Sequence, residues 1–195
     1  MSLNSFNNYR KLLRIEQWYK NLIIFLPLLF LPNSLVLPLN KLLLAFLGLC
    51  TISSITYIIN DWVDRKVDRL HPTKKNRPLA SKKITLRQAL VVIILLIFVE
   101  IMITLQLEII YTIIVITYFV LTNLYSFYLK HIPVIDIIVI ALNFILRYLA
   151  GIASFLALST NLLAILSIFF LFLVILTFKR RADIKLLGKN AAKHK

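Results

Sequence analysis

Long apolar runs separated by short polar stretches pattern this chain from residue 21 onward. A helix that crosses a bilayer needs about 20 mostly apolar residues. Six runs approach that length: 21–37, 41–60, 88–106, 108–128, 133–157 and 161–178. Pro27 and Pro32 interrupt the first, and each removes a backbone donor, which predicts a kinked or re-entrant segment. Ahead of it, Phe6, Tyr9, Leu12, Leu13 and Trp18 alternate with Arg10, Lys11, Arg14 and Glu16. That pattern predicts an amphipathic helix over 6–19 lying on the membrane surface. The expected fold class is an all-α, polytopic membrane helical bundle of about six transmembrane helices. Its expected parts are an interfacial segment 1–20, a membrane domain 21–178 with a charged loop 61–87, and a basic tail 179–195. The start lacks a small-x-small cleavage site and five apolar runs follow the first, so no cleaved signal peptide is expected.

Composition narrows the class. The chain has 195 residues, of which 60% are hydrophobic and 16% charged, and its mean hydropathy is +0.86. Soluble domains carry roughly 25% charged residues. A single soluble globule and a disordered chain are both excluded. With three glycines and the lone Cys50, so are collagen-like and disulfide-scaffold proteins.

The net charge of +15 comes from 23 Lys and Arg against 8 Asp and Glu. If the chain crosses six times, all the basic residues but Lys41 and Arg147 fall on one side. They cluster at residues 10–20, 65–87, 130 and 179–195. The positive-inside rule makes that side cytoplasmic, with both termini. Topology thus accounts for the charge without nucleic-acid binding.

The densest polar stretch runs from Asn60 through Asp61, Asp64, Arg65, Lys66, Asp68 and Arg69 to His71-Pro72 and on to Ser81. Three of the eight acids sit here at i, i+3 and i+7. At about 100° per residue they project within about 60° of one another, where the second run leaves the membrane. Carboxylates so placed repel, so a cation is expected among them: either the surrounding Lys and Arg or a divalent metal. The excess basic residues in turn need an anion. Mg²⁺ binds through one or two carboxylates plus substrate phosphates, and Lys and Arg suit the remaining oxygens. The combination reads as a site for a phosphate-bearing leaving group, against the alternative of a solvated charged loop.

Further polar residues lie within or beside the spans. Asp136 and Arg147 are about three turns apart on nearly one face, about 16 Å, too far for a direct pair. With Asn143 they either contact other helices or line a polar cavity. Tyr125 and Lys130 end the fourth run, and Lys179-Arg180-Arg181 end the sixth, all on the charged side. Each has an ordinary reading, as aromatic belt or stop-transfer cluster, beside a phosphate-binding one. Glu100 and Glu108 are read as interfacial or structural at the opposite side. There is no P-loop or G-x-G-x-x-G stretch, no zinc-ligand spacing among His71, His131 and His194, and no nucleophilic triad.

Asn60-Asp61-x-x-Asp64-x-x-x-Asp68-Arg69, continuing His71-Pro72-x-Lys74-x-x-Arg77-Pro78, resembles the first aspartate-rich motif of the UbiA prenyltransferase superfamily. Arg14-x-x-Gln17-Trp18-x-Lys20-Asn21, Tyr125-Ser126 with Leu129-Lys130, Asp136 with Arg147, and Lys179-Arg180-x-Ala182-Asp183 resemble the phosphoribosyltransferase-like branch acting on polyprenyl phosphates. Asp183 stands where that branch usually has Glu. A second D-x-x-x-D motif, usual in prenyl-transferring members, is not found.

The resemblance implies phosphoribosyl pyrophosphate and a polyprenyl phosphate as substrates. It implies Mg²⁺ held by Asp61, Asp64 and Asp68, with Asn60 in the same catalytic motif. Lys20, Arg69, Lys74, Arg77, Tyr125, Lys130, Asp136, Arg147 and Lys179 would contact substrates. Two alternatives are a prenyltransferase moving a prenyl group from prenyl pyrophosphate to an aromatic or other polar acceptor, and an inactive truncated or accessory membrane protein. Members usually have about nine spans, so the resemblance covers six of them. Six helices would not close the ring around the cavity, and the partners expected are a missing C-terminal half or a homo-oligomer.

Overall fold

In the computed structural model, residues 3–30, 39–132, 134–154 and 162–187 are described, and all their regular structure is helical. α1 (Leu3–Leu13) ends at Arg14, whose backbone is left-handed (φ 50°, ψ 47°). A 3-10 helix (Ile15–Phe25) and the single turn α2 (Pro27–Phe30) follow. The long helices are α3 (Leu39–Asp68), α4 (Leu86–Thr104), α5 (Ile109–Phe127), α6 (Ile135–Ala153) and α7 (Leu162–Leu187).

Five helices, α3 to α7, are long and apolar enough to cross a membrane. The first predicted span corresponds to the 3-10 helix and α2, and its remainder, 31–38, lies outside the described residues. The predicted surface helix over 6–19 differs from the structure. The chain turns at Arg14, Leu12 is fully buried, and Tyr9 and Leu13 pack with it against Ile58, Leu79, Ile84 and Ala89. That cluster fastens α1 and the charged loop onto α3 and α4.

Local sequence explains the helix limits. Thr85 opens α4 with a reciprocal capping box: its hydroxyl accepts from the Gln88 amide, and the Gln88 side chain accepts from the Thr85 amide. α3 has 30 residues and is about 45 Å long, against a hydrocarbon core of about 30 Å. Its last turns, Asn60 to Asp68, therefore stand clear of the apolar layer.

α3 is the central helix: its apolar stretch is 67% buried, against 17% for α4 and 11% for α7, whose other faces present leucine, isoleucine and phenylalanine outward. α3 packs on α1, α4 and α5, and α6 packs on α5 and α7. The 3-10 helix fits between α3 and α6. Gly151 permits this, since a Cβ there would lie 2.2 Å from the Ile24 carbonyl oxygen. The alternation brings the polar ends together. Asn60 Nδ2 donates to Ser126 Oγ (2.8 Å), Lys130 lies 4.0 Å from Asp64, and Arg180 pairs with Asp136. At the opposite end Lys41 pairs with Glu108 at 3.2 Å.

Candidate functional site

Asp61 is the focus of the charged face. It is 1% exposed, and its Oδ1 accepts from Arg14 Nη2 at 2.6 Å and lies 3.1 Å from Arg77 Nη1. The same Arg77 nitrogen lies 2.8 Å from Asp68 Oδ2. One guanidinium thus bridges two carboxylates a helical repeat apart, and a second holds Asp61 from the N-terminal segment. Arg14 also lies 4.8 Å from the centre of the Tyr57 ring, a cation–π contact that fixes its plane.

The three aspartates are not gathered on one point. Asp64, about 60° round the helix from Asp61, faces Lys130 and is 39% exposed. Among the described residues no three acidic, histidine or cysteine side chains form a metal cluster. The expectation of a cation between the carboxylates is met by Arg14 and Arg77. Asp61 Oδ2, however, is buried without a hydrogen-bond partner among the described residues. An orphaned carboxylate oxygen beside a half-exposed carboxylate one turn away fits Mg²⁺, which needs one or two carboxylates and takes its other oxygens from phosphate and water.

A cavity of about 350 Å³ opens beside Asp61, walled by Arg10, Lys11, Arg14, Gln17, Asn76 and Arg77 among others. Four of these are cationic, so the space favours an anion. Loop 69–85 forms one wall and is internally held. Arg69 Nε donates to the Ala80 carbonyl (3.0 Å), Ser81 Oγ to the Arg77 carbonyl (2.9 Å), and His71 Nδ1 accepts from the Thr73 and Lys74 amides. Arg69 therefore ties the loop rather than reaching the carboxylates, and Lys74 opens the short 3-10 turn Lys74–Asn76 that leads into Arg77.

A second cationic centre lies deeper. Arg147, 6% exposed, donates from Nε to Asn21 Oδ1 (2.9 Å), from Nη1 to the Asn143 carbonyl (3.1 Å) and from Nη2 to the Tyr118 hydroxyl (2.8 Å). It lies 4.9 Å from the ring centres of both Tyr118 and Phe144. Asn21 reaches on to Cys50 and Ser53, and Ser53 to Tyr118. Every hydrogen-bond partner of this buried guanidinium is neutral, so its positive charge is available to a bound anion. Burial first, then the positive charges of Arg147, Lys179 and Arg14, hold the Lys20 ammonium below the ordinary lysine range.

Of the predicted site residues, Asp61, Asp68 and Arg77 form one unit, and Asp64 with Lys130 borders it. Arg147 is buried in the bundle, Lys20 is partly buried, and Lys179 is exposed near the end of α7. Asn60 ties α3 to α5. Asp136 and Arg147 do not meet; Asp136 pairs with Arg180, and Tyr125 sits in the last turn of α5. The side chain of Asp183 lies outside the described residues. The principal site residue not singled out as such from sequence is Arg14, although it opens the Arg14-x-x-Gln17-Trp18 stretch. Trp18, in that stretch, donates to Ser54 Oγ (3.2 Å), and Ser54 donates to the Leu13 carbonyl, so the motif fixes the turn that aims Arg14.

The chain matches solved structures along most of its length. A UbiA homologue from Archaeoglobus fulgidus bound to DMAPP and Mg²⁺ has 22% identity and a TM-score of 0.76, over 95% of this chain and 66% of that one. A digeranylgeranylglyceryl phosphate synthase gives 21% identity and a TM-score of 0.76, over 99% and 67%. Among curated proteins, decaprenyl-phosphate phosphoribosyltransferase of Mycolicibacterium smegmatis is 31% identical over 94% of this chain and 59% of its own length. The Mycobacterium tuberculosis enzyme of that name is 31% identical over 93% and 62%. The uncharacterized protein y4nM of Sinorhizobium fredii is 36% identical over 71% of this chain and 27% of its own length. The chain therefore spans about 60% of the phosphoribosyltransferases it matches. The UbiA prenyltransferase family model matches residues 21–190, and the chain is a multi-pass membrane protein of the UbiA prenyltransferase family.

Proposed function

We propose that the charged face binds phosphoribosyl pyrophosphate with Mg²⁺, for transfer of the 5-phosphoribosyl group to a polyprenyl phosphate. The observation that carries this reading is Asp61: a buried carboxylate held by two arginines, with one oxygen unpartnered, at the wall of a basic cavity. The names of the 31%-identical relatives favour the phosphoribosyl substrate.

Asp61 and Asp64 would hold Mg²⁺, with Asp68 positioning Arg77. The metal would supply charge neutralisation of the departing pyrophosphate. Arg14, Arg77, Lys74 and Lys130 take up the charge that develops on that group. Arg147 and Lys20, deeper in the bundle, draw the lipid phosphate toward the sugar. A phosphate oxygen forms the new bond to the anomeric carbon as the bond to pyrophosphate breaks, and the electron pair leaves with pyrophosphate. The attacking oxygen is already ionised, so no side chain has to remove a proton. Positioning and charge stabilisation carry the catalysis. The basic face is assigned to the cytoplasm, where phosphoribosyl pyrophosphate is soluble.

Membranes carrying the chain, given Mg²⁺, decaprenyl phosphate and radiolabelled phosphoribosyl pyrophosphate, are expected to yield a labelled lipid that Asp61→Asn abolishes. Product formed only from a prenyl pyrophosphate and a polar acceptor would assign the site to prenyl transfer instead, as the family name and the DMAPP-bound homologue allow. Absence of either product would support an accessory role for the chain.

A further inference from the structure

A second pocket lies at the opposite end of the bundle, between α3, α4 and α5, and nothing in the phosphate chemistry uses it. Its polar group is Glu100, near the C-terminal end of α4. Glu100 is 7% exposed, and neither carboxyl oxygen has a hydrogen-bond partner among the described residues. Lys41, the cation at this end, is paired with Glu108. The Tyr111 hydroxyl donates to the Ala45 carbonyl at 3.0 Å and is committed there. Gly48 makes the room: a Cβ there would lie 2.3 Å from the Tyr111 hydroxyl and 3.3 Å from Glu100 Oε1. Beside the carboxyl is a cavity of about 240 Å³, walled by Ile52, Ile55, Ile97, Thr104 and Phe119. The Thr104 hydroxyl already donates to the Ile101 carbonyl. The half-buried Thr112 hydroxyl also lines the cavity, and Glu100 is its deeply buried polar group with unmet bonding capacity.

The geometry points to a binding site for the hydroxyl end of a membrane-dissolved, single-chain alcohol. A carboxyl among hydrocarbon with no cation beside it is carried as the neutral acid. That form offers one O–H donor and a carbonyl acceptor, and an alcohol answers both. A phosphate would meet no cation in this lining to balance its charge. The volume lies below the roughly 300–1,000 Å³ of pockets that enclose whole ligands, so the site takes one chain end. The flanking α4 and α5 surfaces are apolar and exposed, and the guest enters from the bilayer. Fatty and prenyl alcohols share this chemistry.

The test uses the purified chain in detergent and a long-chain alcohol bearing a diazirine, with crosslinks mapped by mass spectrometry. Crosslinks are expected on the peptides carrying Ile97 and Phe119. Dodecanol or farnesol should compete for them about tenfold better than dodecane, the scale of one hydrogen bond. The better competitor distinguishes a straight from a prenyl chain. Glu100→Gln, which keeps a donor and an acceptor, should retain labelling, and Glu100→Leu should lose it. Thr112→Phe narrows the same cavity, leaves Glu100 in place and should also lose it. Equal competition by dodecane and dodecanol would overturn the proposal, as would labelling that survives both Glu100→Leu and Thr112→Phe. Neither result bears on the charged face.

Discussion

Replacing Arg77 by alanine removes one group from two buried carboxylates, and the structure sets the scale of the loss. Asp68, 4% exposed at its side chain, loses its ion-pair partner at 2.8 Å, whereas Asp61 keeps Arg14 at 2.6 Å. Stripping the partner from a buried charge costs about 3–5 kcal/mol. Arg77 is 26% exposed, which lets water in once it is gone, so about 2–3 kcal/mol is expected here. For a chain of this size that is a fall in melting temperature of about 4–12 °C. Cys50 is the one cysteine and is buried, so a thiol-reactive dye reports unfolding directly. The sharper measurement is a double-mutant cycle. In the Arg77→Ala background, Asp68→Asn removes the stranded charge, so the double variant should be about 1.5–2 kcal/mol more stable than the sum of the single losses. Asp64→Asn with Arg77→Ala should be additive within about 0.5 kcal/mol, because Asp64 faces Lys130. Coupling below that level for Asp68, or equal coupling for Asp64, would refute the bridging role of Arg77.

Three further outcomes follow from other parts of the bundle. Arg147→Lys keeps the charge but gives up the fork that reaches Asn21, Asn143 and Tyr118, so affinity for a polyprenyl phosphate, measured by calorimetry in detergent, should fall about tenfold or more, and Arg147→Met further. Lys20 has a lowered pKa, so it loses its proton at a lower pH than an ordinary lysine; anion affinity should decline as pH rises through that range, and Lys20→Gln should flatten the decline. Gly151→Ala pushes a methyl to 2.2 Å from the Ile24 carbonyl oxygen, and an overpacking cost of about 1–3 kcal/mol should appear as a lower melting temperature, whereas no change would mean the 3-10 helix is not held against α6.

The helical class and the convergence of the basic residues were legible because one-sided charge and apolar run length are local, additive signals. The aspartate spacing was legible to finer grain than the grouping used. Asp61 and Asp68, about 20° apart around α3, share Arg77, while Asp64, displaced by about 60°, turns to α5. What stayed hidden depends on tertiary approach. Arg14 reaches Asp61 across 47 positions through a left-handed turn at a residue that is not glycine, and no local pattern announces that turn. Arg147 meets Asn21 across 126 positions. Glu100 reads as an interfacial acid until Gly48, on another helix, is seen to make room for it. Arg69 sits within the aspartate motif, yet its guanidinium turns back to a carbonyl of its own loop, a choice that depends on how residues 69–85 fold.

In the proposed function, Asp61 and the cations around it form a Mg²⁺-dependent site for phosphoribosyl pyrophosphate. Calorimetric titration of the purified chain with that compound tests it most directly. Saturable binding should require Mg²⁺, weaken at least tenfold in Asp61→Asn, and weaken in Arg14→Ala. Binding of equal strength without Mg²⁺, or unchanged by Asp61→Asn, would contradict it.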